Sequence, residues 1–286
     1  MPKHYRKKFV RDGGQPGRLR LVPSDAALLS DLASYRFMNT EQIAALRHRG
    51  LRNLQRRLAD LFHAGFVERP RQQLSTRLMS GHMVYGLGRK GAEFLFEGEA
   101  ERREYLRRVR LDQETAFPYI AHALMISQFR SELALALEKA GGKAELSRWA
   151  QGYELKELLG RTGLVPDAFF SIDTPKGRLN FFLEADRSTM TRERVLAKMK
   201  TYWKWQQARV FEKKLGVSRF RVLTLTVSEE RKENLRRMAK GADPMREGKR
   251  MFMFACEKQF SLSRPESVLA PVWLSPKDDE KLALAA

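Results

Sequence analysis

Cysteine is almost missing. One residue, Cys256, stands in a chain of 286, which excludes an intrachain disulfide and any multi-cysteine zinc or iron–sulfur site. Long apolar runs are missing too, and none approaches the roughly 18–20 residues that a membrane helix needs. The opening residues, MPKHYRKKFVRDGG, hold no apolar signal-peptide core, so a reducing cytoplasm is the expected compartment. Pro2 follows Met1 and the last residues are Ala-Leu-Ala-Ala, which leaves no lipidation motif. His4, His48, His63, His82 and His122 are scattered and form no His-rich metal motif. Internal repeats and low-complexity tracts are lacking. Acid is scarce relative to base: 34 Asp and Glu stand against 54 Lys and Arg, a net charge of +20. A chain so basic, with no lipid anchor, is expected to meet nucleic acid rather than a membrane.

Hydrophobic residues make up 43%, enough for packed cores, and the length suits about two domains. Both halves are basic, with net charges of +12 over residues 1–110 and +8 over the rest. Residues 1–22 read as a flexible basic arm, with Lys3, Arg6, Lys7, Lys8, Arg11, Arg18 and Arg20 among Gly13, Gly14, Pro16 and Gly17. It is either a solvated tail or an arm that contacts DNA. From Pro23 the pattern turns helical. Ser24 is read as the cap of a helix through Ala33, and Thr40 as the cap of a helix over Glu41–Arg47. Gly50 opens a third helix, Leu51–Ala64, whose Leu51, Leu54, Leu58, Leu61 and Phe62 form one apolar stripe. Its polar face offers Arg52, Asn53, Gln55, Arg56 and Arg57, the side-chain types that reach base edges and phosphates. A strand at Phe66–Arg69, a polar stretch to His82 carrying Arg71 and Arg77, and a second strand at Met83–Leu87 make a hairpin.

Three helices followed by a hairpin is the order of a winged helix-turn-helix. The string LxxLxxxGFVxR, a gap, then VYGLxxxGxxFL resembles winged-helix regulators over residues 24–98. The resemblance makes Leu51–Ala64 a recognition helix and Gln72–His82 a wing. Duplex DNA is then the partner, with Thr40, Arg52, Asn53, Gln55, Arg56, Arg57, Arg71 and Arg77 as candidate contacts. The plainer reading of the same unit is a winged helix used only for protein contacts.

Residues 99–114 interleave acid and base and read as a charged connecting helix. A second domain is expected over 115–275, with a short tail at 276–286. It begins with a long helix, Phe117–Ala140. Strands follow at Ala144–Glu154, Val165–Asp173 and Arg178–Asp186, then a helix from Thr191 to Lys213 and a strand at Arg219–Val227. Later come a helix at Glu229–Lys240 and a strand at Met251–Cys256. The expected fold class is α/β (α+β), with an αβββαβ second domain. Paired strands bring Asp167 near Glu184 and Asp186. Carboxylates gathered at one edge repel unless a cation neutralises them. A divalent ion, Mg²⁺ or Mn²⁺, would suit Asp167 and Glu184 as metal ligands; otherwise basic neighbours such as Arg187 and Lys198 pair with the acids.

The order Pro166-Asp167…Glu184 resembles the PD-(D/E)xK nuclease superfamily, which has the restriction-endonuclease fold. Where that superfamily places lysine, two residues after the Glu, this chain has Asp186; Lys198 on the next helix is the candidate replacement. Asp167, Glu184, Asp186 and Lys198 are thus the candidate catalytic set, though the departure at Asp186 favours a fold used for binding over a working nuclease. PDAFFSID, LNFFLEADRSTM and KMKTYWKW, placed after a winged helix, are similar to the replication-relaxation family of plasmids and other mobile elements. That resemblance adds Tyr202 to Lys198 on the helix. It implies a DNA-binding accessory or regulatory protein of replication control, mobilisation or transcription. The alternatives are a metal-dependent nuclease or nickase, and an assembly module that forms a homodimer or recruits a replication or mobilisation protein. Basic residues and Tyr202, Trp203 and Trp205 interleave over 187–214, which suits either phosphate and base contact or packing against the sheet.

Overall fold

Local chemistry sets the first helices. The structure is a computed structural model that describes residues 8–11, 19–74, 81–113, 117–160, 162–242, 251–276 and 279–284. Helix α1 spans Pro23–Tyr35. Pro23 at its first position lacks only an N–H that would have no helical partner there, and the Asp25 carboxylate accepts from Val22 N at 2.8 Å. Val22, not Ser24, is therefore the cap. Residues 36–39 hold a short strand, β1 (Met38–Asn39), where periodicity suggests only a break. Helix α2 (Thr40–Leu46) is capped by Asn39 rather than Thr40: Asn39 Oδ1 accepts from Gln42 N at 2.8 Å, and Gln42 Oε1 accepts from Asn39 N at 2.9 Å. Helix α3 (Leu51–Ala64) ends on Gly65, at φ 88°.

Strands β2 (Val67–Glu68) and β3 (Val84–Leu87) follow, and the small sheet runs β1-β3-β2, antiparallel throughout. Gln73 completes β3 with its side-chain amide, donating to Val84 O at 3.1 Å and accepting from Val84 N at 2.9 Å. Helix α4 (Arg89–Leu95) packs so closely that a Cβ on Gly91 would lie 2.3 Å from Phe66 O, so only glycine fits there. Helices α5 (Glu99–Gln113) and α6 (Phe117–Lys139) come next. The chain divides into two units, residues 1–128 and 129–286. The division falls within α6: Ser127 Oγ donates to Phe37 O at 2.7 Å, and Ile120 packs with Phe37 and Val84. Leu28, Leu32, Ile43, Leu54, Leu58, Leu61 and Tyr85 lie in the first unit's core.

The second unit is built on one sheet ordered β10-β9-β8-β7-β6-β5-β4. Strand β4 (Glu145–Gln151) leads into a helix, α7 (Gly152–Leu159), where the sequence suggests only the end of a strand. Leu155 and Leu159, one helical turn apart and fully buried, are its signature. Strands β5 (Ala168–Thr174) and β6 (Gly177–Asp186) pair antiparallel, with Ala168 opposite Leu183. The long helix expected after Thr191 is two, α8 (Arg192–Gln207) and α9 (Val210–Leu215), separated at Arg209, whose φ is 49°. Strand β7 (Arg221–Thr226), helix α10 (Glu229–Ala242) and strand β8 (Phe252–Cys256) extend the sheet in parallel from β6. Strands β9 (Trp273–Leu274) and β10 (Lys281–Leu282) close one edge, antiparallel.

Alternation along the strands sorts the core. Phe169 and Phe182 join the layer of α7–α10, where the Phe182 ring lies 4.3 Å from Phe211 and 5.2 Å from Phe220. Phe170 turns the other way, 5.8 Å from Phe129 of α6. Each such ring, once buried, contributes roughly 1.5–3 kcal/mol. The described residues form ten α-helices and two sheets, a mixed α+β architecture. Among them no helix is long and apolar enough to cross a membrane.

Candidate functional site

Helix α3 divides its side chains sharply. Leu54, Leu58, Leu61 and Phe62 are buried, which turns Arg52, Asn53, Gln55 and Arg56 into solvent. Arg56 Nη2 donates to Asn53 Oδ1, so two of these polar groups are held side by side. Leu51, expected in the apolar stripe, sits at the first position of the helix and is 39% exposed.

Two of the expected contacts do not belong to this face. Arg57 is half-buried and makes a two-pronged pair with Asp25, Nε to Oδ1 at 2.9 Å, and also donates to Arg20 O. Asp25 is fully buried. Burial alone would raise its pKa; the Arg57 hydrogen bonds, the Val22 N–H and the charges of Arg57 and Arg49 outweigh this and hold the carboxyl below its ordinary range. Thr40 is fully buried, and its hydroxyl donates to Met83 O at 3.1 Å. Both side chains are committed to the fold. A second two-pronged pair, Arg47 with Asp31, ties α2 to α1. Sequence reasoning missed Asp25, Asp31 and Arg47, because pairing between helices leaves no trace in the periodicity of either. Arg71 is exposed, just beyond β2. Arg77 lies outside the described residues, as does most of the expected wing.

The acids of the second unit stand at the ends of paired strands. Asp167 precedes β5; its N donates to Leu183 O at 3.1 Å, and its Oδ2 accepts from Ala185 N at 2.8 Å. This places Asp167 beside the C-terminal end of β6. Glu184 and Asp186, two residues apart, project from one face of β6. Lys198, on α8, turns back and donates to Glu184 Oε2, while the buried Tyr202 hydroxyl one turn later donates to Glu184 Oε1. Asp186 is held by Arg231 of α10, Nε to Oδ2 at 2.6 Å and Nη2 to Oδ1 at 3.2 Å. Sequence reasoning missed Arg231. Burial raises the Glu184 pKa to about 7, with Asp167 adding to the rise and with Lys198 and the Tyr202 hydrogen bond opposing it. Burial would lower the Lys198 pKa, but Glu184, Asp167 and Asp186 together raise it, so the ammonium is kept. A cavity of about 30 Å³ lies beside Glu184, Asp186, Lys198 and Thr224, room for a single water.

Compared with known families, residues 29–219 match the model of the replication-relaxation family. The chain belongs to the replication-relaxation family. Membership points to a role in the replication or mobilisation of a plasmid or other mobile element, with DNA or a replication protein as partner. No curated protein and no solved structure matches the chain. The family's matched span contains the α3 face, Asp167, Glu184, Asp186, Lys198 and Tyr202, and ends before Arg231.

Two of the three acids of this replication-relaxation protein, Glu184 and Asp186, are already engaged by protein donors. Mg²⁺ and Mn²⁺ need several oxygen ligands at once. Both Glu184 oxygens already accept from Lys198 and Tyr202, and both Asp186 oxygens accept from Arg231. The Lys198 ammonium supplies the positive charge beside Glu184. Among the described residues no group of three His, Cys, Asp or Glu has metal-binding geometry. The aromatic residues of α8 are likewise engaged: Tyr202, Trp203 and Trp205 are buried, so none offers a ring to a base. Its other cations, Arg192, Arg194, Lys200 and Lys204, remain exposed, whereas Lys198 turns inward to Glu184.

Proposed function

We propose that this chain is a duplex-DNA-binding regulatory protein of a replicating or mobile element. In this reading residues 23–98 form a winged helix-turn-helix, and α3 enters the major groove. One observation carries it: Arg52, Asn53, Gln55 and Arg56 share an exposed face, while Arg57 and Thr40 are withdrawn into the fold. Arginine suits guanine O6 and N7, and Asn or Gln suits adenine N6 and N7. Arg71 holds a phosphate at the base of the wing. Residues 129–286, with α6 preceding a sheet whose β6, β7 and β8 run parallel, act as a nuclease-like scaffold. Its acids neutralise internal cations instead of gathering a metal.

One gel series on supercoiled plasmid from a plausible host element tests this reading. Full-length protein is run with EDTA, Mg²⁺ or Mn²⁺, beside an Asp167→Asn/Glu184→Gln variant. The expected result is a salt-sensitive shift with intact DNA in every lane. Metal-dependent nicking that the variant abolishes would establish the nuclease reading in its place, and absence of any shift would leave an assembly module.

A further inference from the structure

A cavity in the first unit lies away from the exposed face of α3. It has a volume of about 460 Å³ and is bordered by residues 9–11, the buried side of α3 at Phe62, the segment 68–72, the end of β3 and Tyr105 of α5. That size falls within the range of small-molecule sites. We propose that it is a binding site for a small organic anion with a flat apolar body.

The walls supply both halves of that chemistry. Phe9, Phe37, Phe62 and Tyr105 are aromatic surface for a planar body. Arg36, Arg69 and Arg71 border the same space, and the one acid there, Glu68, is already paired with Arg11 at 2.5 Å. The lining therefore carries an excess of guanidinium, the group best shaped for a carboxylate or phosphate.

Arg69 and Arg36 add particular reasons. The Arg69 guanidinium lies 4.4 Å from the centre of the Phe62 ring and donates to Lys8 O and to the Tyr85 hydroxyl. Its Nε is buried and has no hydrogen-bond partner, so the guanidinium's hydrogen-bonding capacity is not used up by the fold. Arg36 is held at φ 75°, a backbone region uncommon for a residue with a Cβ. Its guanidinium lies over the Tyr119 ring at 4.7 Å, which restrains a long side chain beside the cavity. Of these residues only Arg71 also has a place in the proposed DNA contact, at a phosphate; Arg36, Arg69 and the aromatic walls lie off the reading face of α3, so substitutions at Arg36 and Val10 test the site apart from DNA recognition.

Isothermal titration of the full chain tests the site with two probe series, nucleoside 5′-monophosphates and aryl carboxylates such as naphthoate. One series is expected to saturate at one molecule per chain, which also tells phosphate from carboxylate. The matching nucleosides or neutral aryl amides should bind more weakly by about tenfold or more. Arg36→Gln and, separately, Val10→Trp, which narrows the mouth from an exposed position, should each weaken binding by a similar factor. Circular dichroism verifies that both variants fold. Absence of saturable binding in both series overturns the proposal. So does binding that neither substitution weakens, or that the uncharged analogues match.

Discussion

On α3, Arg52 and Arg56 stand in solvent and have no ion-pair partner among the described residues; on β6, Glu184 and Asp186 are buried and each is held by a cation from a neighbouring helix. The first arrangement leaves charge available to a polyanion. The second uses charge to fasten helices to a sheet. The same contrast recurs within α3, where neighbouring arginines part company: Arg56 faces out, and Arg57 locks onto the buried Asp25. Charge in a sequence therefore says little until burial shows which cations the fold has already claimed.

The largest effect is expected where a buried pair loses one member. Lys198→Met leaves Glu184 buried without its cation and should lower unfolding stability by about 3–5 kcal/mol near pH 8, measured by urea denaturation of the full chain. The loss should shrink near pH 5. Glu184 has a folded pKa of about 7, above its ordinary 4.5, so its protonated form is the one the fold favours. That contribution is fully present below pH 4.5 and is lost as pH rises through about 7. Glu184→Gln should flatten this part of the stability profile; an unchanged slope would break the assignment.

Arg57 and Arg56 provide the sharper comparison. Arg57→Met, which strands Asp25, should reduce stability by roughly 3 kcal/mol and act on DNA affinity only through folding. Arg56→Ala should leave the urea midpoint in place and weaken binding to a preferred duplex by about 1–3 kcal/mol, with Arg52→Ala similar. The reverse pattern would assign the two faces of α3 wrongly. The smallest expected effect is that of Tyr202→Phe, which removes one donor from Glu184 and keeps the ring; about 1 kcal/mol of stability should go, with the Glu184 titration moved further upward.

Much of this was legible in the residues. The limits of α3 follow from Gly50, the Leu54–Leu58–Leu61 spacing and Gly65, all of them local signals. Asp167 and Glu184 could be paired from the strand and turn signals around Pro175-Lys176-Gly177, and the structure places them at neighbouring strand ends. Strand β1 was not legible: two residues with no alternation form a strand only because β3 comes to meet them. Helix α7 was hidden because it follows β4 with no intervening loop. The single long helix expected after Thr191 gave no sign of its break, since Ala208-Arg209 contains neither Gly nor Pro.

Sequence by itself determined the basic balance, the helix and strand periods and the family resemblance, because these depend on composition and on neighbours a few residues away. Only the tertiary structure decided the partners. Asp186 is held by Arg231, 45 residues on, and not by the adjacent Arg187; Arg57 faces Asp25 rather than solvent. Those choices turn on which helix lies over which strand end, and on the need to neutralise a charge that packing has removed from water.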